Sequence, residues 1–306
     1  MERKVIVIVG PTCSGKTSLS LLLANRLNTE IISADSRQIY KHLNIGTAKP
    51  TTEELSSTKH HFIDYLNPED AFNVSMFEHD ALEIIESLFQ RSRIPVVVGG
   101  SGLYIKALVD GIFDNAETDD EQRAKFLEMR KEKGNQFLYD ELKKVDPVSA
   151  EKMLPQNWKR VMRALEVFYS TGKTIGELHE EYERDSDIKF LQYGLMWDRT
   201  ILYKNIEKRV DVMIENGLVE ETKNIIDKGY DHELNALNTV GYKEIISYLN
   251  NEVSLERAIE LIKRNTRRYA KRQMTWFRKD NRIKWFETEN ESSLKIIAEK
   301  IIEDIA

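Results

Sequence analysis

The chain has 306 residues, enough for one large core carrying an insertion or for two domains. Its one cysteine, Cys13, excludes an internal disulfide, and its start shows neither a charged-then-apolar leader nor an apolar run of membrane length, so a protein of the reducing cytoplasm with no membrane partner is expected. The net charge of −6 argues weakly against a nucleic-acid partner, yet residues 263 to 284 gather ten basic residues against the single acid Asp280, an asymmetry that suits a polyanion docked on one face.

In chain order, the apolar run Val5 to Val9 leads into Gly10-Pro11-Thr12-Cys13-Ser14-Gly15-Lys16-Thr17 and then into the helix-like Ser18 to Ala24. A glycine pattern set where a buried strand turns into a helix is a phosphate-binding loop, or P-loop. Its amides and the helix N-terminus face an anion, Lys16 adds a point charge, and Thr17 offers a hydroxyl to Mg²⁺. Cys13 inside that loop reads as a small filler side chain.

Glu30 to Ala34 is a second short strand, which delivers Asp35-Ser36-Arg37-Gln38 to its carboxyl end, and Asp35 is expected to face the phosphate loop. Leu43 to Pro50 is a loop, Thr52 is expected to cap a short helix, and His60 to Asp64 forms another strand. No ligand-type partner stands at metal spacing from His60 or His61, which makes structural histidines the better reading. Ser75 is expected to cap a helix reaching Gln90, with Phe77, Ala81, Leu82, Ile84, Ile85 and Leu88 as its apolar stripe. Pro95 to Val98 is a buried strand, and Gly99-Gly100-Ser101-Gly102 after it forms either a simple tight turn or a second anion-facing turn that exposes Ser101.

From Asp114 the sequence becomes polar and helix-forming. Asp119 or Asp120 is expected to cap a helix that Gly134 ends, Asn135 to Val145 makes another, and Asp146-Pro147 stops it. Trp158, Val161, Met162, Leu165 and Phe168 share one helix face, with Lys159, Arg160 and Arg163 projecting elsewhere. The expected architecture is α/β: a P-loop core with a parallel sheet flanked by helices, built from residues 1–113 and 190–306, with a small all-helical insertion domain over 114–189. Phe190 to Met196 returns to the sheet. Helices follow over Tyr203 to Glu215, with Gly217 as a C-cap and Arg209 beside the apolar stripe, and over Val219 to Lys228. The loop Asn238 to Lys243 starts a further helix, and Ser254 caps a long basic one towards Phe277, in which Tyr269 and Trp276 are assigned to the core.

A P-loop enzyme usually places a carboxylate at a strand end to hold Mg²⁺. Asp35 can fill that role or act as a general base beside a leaving phosphate group, and the pattern alone leaves both open. No acidic pair after a hydrophobic strand marks a motor or switch ATPase, so a phosphate-handling transferase remains.

The phosphate loop, Asp35-Ser36-Arg37-Gln38-Ile39-Tyr40, Ile45-Gly46-Thr47-Ala48-Lys49-Pro50, Gly99 to Tyr104, Lys159-Arg160 with Arg163 to Glu166, Val240-Gly241-Tyr242, and Thr266 to Gln273 with Thr275-Trp276 occur in the order of the bacterial tRNA dimethylallyltransferase family, which the chain closely resembles over nearly its whole length. The resemblance implies transfer of a dimethylallyl group from dimethylallyl diphosphate to N6 of the adenosine 3′-adjacent to the anticodon, with Mg²⁺ as cofactor and the anticodon stem-loop of tRNA as partner. It makes the loop Gly10 to Thr17, with Arg209, a grip for the leaving diphosphate, and Asp35 the general base. By the same resemblance Ser36, Arg37, Gln38 and Ser101 position the extruded adenine. Arg123, Lys159, Arg160 and Arg163, with Asn238, Lys243 and the basic helix, contact the RNA. Cys13 and Ser101 depart from the residues common in the family, without loss of the needed chemistry. A prenyltransferase acting on free adenine nucleotide and a P-loop small-molecule kinase are the alternatives, and both leave the basic surfaces unexplained. A monomer is expected.

Overall fold

The computed structural model describes residues 2–112, 120–181, 186–290 and 292–306. Two compact units result, Met1–Val109 with Asp187–Ala306, and Asp110–Ser186.

The first unit starts with β1 (Lys4–Val9), α1 (Lys16–Leu27), β2 (Ile31–Ala34), α2 (Thr52–Ser57), β3 (His60–His61), α3 (Val74–Gln90), β4 (Val96–Gly99) and α4 (Gly102–Asp110). In the second unit lie α5 (Asp120–Val145), α6 (Pro147–Glu151), α7 (Trp158–Thr171) and α8 (Ile175–Glu181). The first then resumes with β5 (Lys189–Met196), α9 (Arg199–Glu215), α10 (Leu218–Asp227), α11 (Tyr242–Leu249), α12 (Leu255–Phe277), β6 (Lys284–Glu287) and α13 (Ser293–Ile305).

Six strands form one sheet in the order β3-β2-β4-β1-β5-β6, with every pair parallel. A parallel sheet covered on both faces needs continuously apolar strands, and β1 supplies one. Val5, Val7 and Val9 pack with Phe77, Ala81 and Ile85 of α3 on one face, whereas Ile6 and Ile8 pack with Leu19 and Leu23 of α1 and with Leu294, Ile297 and Ile301 of α13 on the other. Because all strands run the same way, the segments after β1, β2 and β4 emerge along one edge, where ligand crevices of such sheets form.

Several boundaries differ from the expected ones. Thr51, one residue before Thr52, caps α2: its hydroxyl accepts from Glu54 N, and the Glu54 carboxylate accepts from Thr51 N. Asn73 rather than Ser75 caps α3, its Oδ1 taking the amides of Ser75 and Met76 at 2.9 Å each. β3 covers only His60–His61, since Phe62 and Asp64 take positive φ (63° and 51°), which ends a strand. Gly217, in the left-handed region one residue past the Asn216 C-cap, donates its N–H to Ile214 O at 3.0 Å to close α9 and also opens α10. β6 and α13 were not anticipated.

Among its described residues the second unit is all helical. Gly134 (φ 82°, ψ 175°) breaks α5, and Asp146 caps α6 by accepting from Ser149 N. Phe126, Leu138, Leu142, Val161, Met162 and Leu165 form its core. Asp114 and Asp119 lie outside the described residues.

Candidate active site

One cavity of about 410 Å³ opens along that sheet edge, lined wholly by the first unit. The segment Thr12 to Gly15 of the glycine-rich loop forms one wall. Cys13 (φ 63°) and Gly15 (φ 89°) both take the left-handed conformation, which winds the backbone so that α1 begins at Lys16. Among the described residues none accepts a hydrogen bond from the amides of Cys13, Ser14, Gly15 or Lys16, and the Ser14 hydroxyl is buried without a partner. Donor groups left without a protein acceptor at a helix start form a cradle suited to an anion. Trp197 Nε1 holds the loop from behind by donating to Ser14 O at 2.9 Å.

Lys16 Nζ donates to Pro11 O at 2.7 Å, folded back over its own loop. Burial pushes its ammonium down to about 8; Asp35 opposes that shift by attraction, and Arg209 adds to it by repulsion. Arg209 on α9 donates to Thr12 Oγ1 at 3.3 Å. Lys16, Thr17, Asp35 and Arg209 all line the cavity, so two cations, a hydroxyl and a carboxylate share one space.

Asp35 follows β2 directly. Its Oδ1 accepts from Arg37 N at 2.9 Å and Gln38 N at 3.4 Å, a turn that fixes one carboxylate oxygen. Gln38 is committed to the neighbouring loop, donating to Thr47 O and Ala48 O at 3.1 and 3.0 Å, and Arg37 donates to Asn235 O at 2.6 Å. Ser36, Arg37 and Gln38 line the cavity, as do Asn238 and Lys243. Ser101 does not: its hydroxyl accepts from Ser36 N at 3.0 Å and donates to Ser36 Oγ at 3.2 Å, so it braces the Asp35 turn. Gly10 and Pro11 also stand back from the cavity surface.

Arg123, Lys159, Arg160 and Arg163 belong to the second unit. There Arg123 and Arg163 approach separate oxygens of the buried Glu166 at 3.8 and 3.7 Å, while Lys159 and Arg160 are exposed on α7. Tyr269 and Trp276 depart from their core assignment. Tyr269 lines the cavity with Arg272 and Gln273, and Trp276 is 40% exposed. Helical period alone set Tyr269 on the stripe of Ile262, which also lines the cavity, so core and wall were indistinguishable in sequence. His61 Nε2 donates to the Glu30 carboxylate at 2.7 Å, a structural pairing, and among the described residues the histidine pair belongs to no metal-type cluster.

Residues 38–280 match a protein family described as IPP transferase. The chain belongs to that family. It is 45% identical over 305 residues to the tRNA dimethylallyltransferase of Alkaliphilus oremlandii, covering 99% of this chain and 97% of that one, and 48% identical over 297 residues to that of Acetivibrio thermocellus (96% and 95%). Among solved structures, it resembles the tRNA isopentenylpyrophosphate transferase of Bacillus halodurans at 39% identity and TM-score 0.73, covering 98% of this chain and 96% of that one. A eukaryotic dimethylallyltransferase acting on tRNA aligns at 30% identity and TM-score 0.84, with 98% and 77% covered. The IPP transferase match begins at Gln38, after the glycine-rich loop, but the relatives' alignments extend over it. Among the described residues no helix is long and apolar enough to cross a membrane.

Proposed function

We propose that this member of the IPP transferase family transfers a dimethylallyl group from dimethylallyl diphosphate to N6 of the adenosine 3′-adjacent to the anticodon of tRNA, acting as a cytoplasmic monomer. The observation that carries the reading is that the anion cradle and the Asp35 carboxylate line the same cavity. Diphosphate held by the amides of Cys13 to Lys16, by Lys16 and by Arg209 leaves its allylic carbon facing Asp35, with Val210, Met213 and Ile262 as apolar wall for the hydrocarbon. As the adenine N6 lone pair bonds to that carbon, the C–O bond breaks, its electron pair departs with the diphosphate, and the N6 proton passes to Asp35. Lys16 and Arg209 stabilise the charge that grows on the leaving oxygen.

The Thr17 hydroxyl is a hard oxygen donor on the same cavity and, with the diphosphate oxygens, suits Mg²⁺, which leaves the Asp35 carboxylate for the N6 proton. Bound there, the ion would neutralise part of the diphosphate charge. Extrusion of the adenine from the anticodon loop costs a few kcal/mol, least in a single strand. Arg123, Lys159, Arg160 and Arg163 of the helical unit and the basic α12 supply the phosphate contacts that offset it.

The test is to incubate the purified chain and Mg²⁺ with unmodified tRNA, offering either dimethylallyl diphosphate or ATP, and to read the tRNA nucleosides by mass spectrometry. A dimethylallyl mass on adenosine with the first donor alone is expected. With AMP and dimethylallyl diphosphate in a parallel tube, prenylated AMP beside unchanged tRNA would instead identify a free-nucleotide enzyme, and inertness in both tubes would overturn prenyl transfer.

A further inference from the structure

Gln273 on α12 is buried, 6% exposed, in a helix whose charged residues otherwise crowd its surface. Its Oε1 accepts from Thr12 N at 2.9 Å, in the glycine-rich loop after β1. Its Nε2 donates to Gly100 O at 3.0 Å, in the turn after β4. One side-chain amide therefore joins the two loops beyond the point where their strands pair, at Val9 and Gly99. The second loop is shaped around it: a Cβ on Gly100 would stand 2.1 Å from Nε2, so glycine there is what admits the amide. Trp276, one turn further along α12, lies over Gly102 in the same way.

The two loops have different partners. The first is the anion cradle. The second carries Ser101, whose hydroxyl holds Ser36 and with it the turn that aims Asp35. We propose that Gln273 is a positioning residue that sets the separation between the leaving-group loop and the Asp35 turn that Ser101 braces, and so the distance over which the amine attacks; this rests on the prenyl-transfer reading above. Only an uncharged amide of this length offers both the acceptor that Thr12 N–H needs and the donor that Gly100 O needs. Ionised glutamate lacks the donor, and asparagine is one methylene short. Small errors in the placement of reacting groups cost rate far more than affinity, because each substrate still finds its own loop intact.

The experiment compares the full chain with Gln273→Ala, Gln273→Glu, Gly100→Ala and the double variant Gln273→Ala/Gly100→Ala. It reads kcat with dimethylallyl diphosphate and tRNA, and separately the Kd of inorganic diphosphate, the Kd of tRNA and the melting temperature. Gln273→Ala is expected to lose about tenfold to a hundredfold in kcat while both dissociation constants stay near wild type. Gln273→Glu, which keeps length and the Thr12 acceptor, is expected to lose kcat through the Gly100 contact alone. Gly100→Ala displaces the amide and is expected to lose kcat too, yet to cost nothing further once residue 273 is alanine, a non-additivity that loss of general stability does not produce. Wild-type kcat in Gln273→Ala, or strictly multiplicative effects in the double variant, would overturn the positioning role while leaving prenyl transfer standing. A loss confined to diphosphate affinity would overturn it as well and make Gln273 part of the cradle. A wild-type chain that does not prenylate tRNA would remove the reading itself and the inference with it.

Discussion

Two loops rim the cavity and use the same backbone chemistry in opposite ways. From Asn44 to Gly46 the amides converge on one carboxylate: Glu221 on α10 accepts from Asn44 N at 3.1 Å, from Ile45 N at 2.9 Å and from Gly46 N at 3.3 Å. Tyr242 completes the cluster, donating to Glu221 at 2.6 Å and accepting from Gly46 N at 3.1 Å. Burial, and then the Glu221 charge, push the Tyr242 phenol well above its ordinary value, so it remains a donor. From Cys13 to Lys16 the amides converge on no protein acceptor among the described residues, and a half-buried Lys16 ammonium stands beside them. An internal anion completes the first nest; in the second, the proposed reaction assigns that place to the diphosphate. Binding capacity here lies in what the fold leaves unsatisfied, not in the presence of a glycine-bearing turn.

Replacing the cation of the open loop tests the comparison most severely. Lys16→Met is expected to reduce turnover by on the order of 10²- to 10³-fold, since a preorganised charge at the leaving group is lost. It should leave the melting temperature equal or higher, because the partly desolvated ammonium is a burden on the free protein. Turnover assays beside thermal unfolding decide it. Glu221→Gln is the counterpart in the closed loop: its new NH₂ faces donors, and a loss of about 1–3 kcal/mol of stability is expected from urea unfolding. A Lys16 variant that unfolds early while the Glu221 variant keeps full stability would break the distinction.

The open loop was legible in sequence because three independent signals coincide at it: the valine run of β1, the glycine spacing and the helix start at Lys16. Asp35 was legible for a similar reason, as the first polar residue past a short buried strand. The closed loop carries a similar glycine, but its partner Glu221 lies far along the chain on another helix, and no local pattern announces that pairing. Gln273 was hidden for the same reason: on an amphipathic helix a buried amide reads as one more polar position until the fold brings Thr12 and Gly100 to it. Both cap displacements have a local cause, since Thr51 and Thr52 are identical and Asn73, two residues before Ser75, is an equally good cap that takes the amides of Ser75 and Met76. The α13 stripe of Leu294, Ile297, Ala298, Ile301 and Ile305 did carry a helical period, and it is the signal by which the last element can be found.

The smallest effect separates the two loops by pH. With its folded value lowered to about 8 from 10.5, Lys16 holds fewer protons in the folded chain than in the unfolded one between those limits. Stability therefore gains from this group as pH rises through that window, because the unfolded state binds the extra proton there. Diphosphate affinity must move the other way, since the cradle loses its ammonium as pH passes about 8. Calorimetric titration of inorganic diphosphate from neutral pH upwards is expected to show wild-type affinity falling relative to Lys16→Met, whose profile contains only the titration of the ligand and the remaining groups. Lys16→Arg, charged throughout, should follow the Lys16→Met slope from a higher starting affinity. Glu221→Gln should keep the wild-type slope, because its carboxylate serves the other loop. Parallel profiles for wild type and Lys16→Met would mean that the ammonium is not what the open loop uses to hold its anion, and the amides alone would have to carry it.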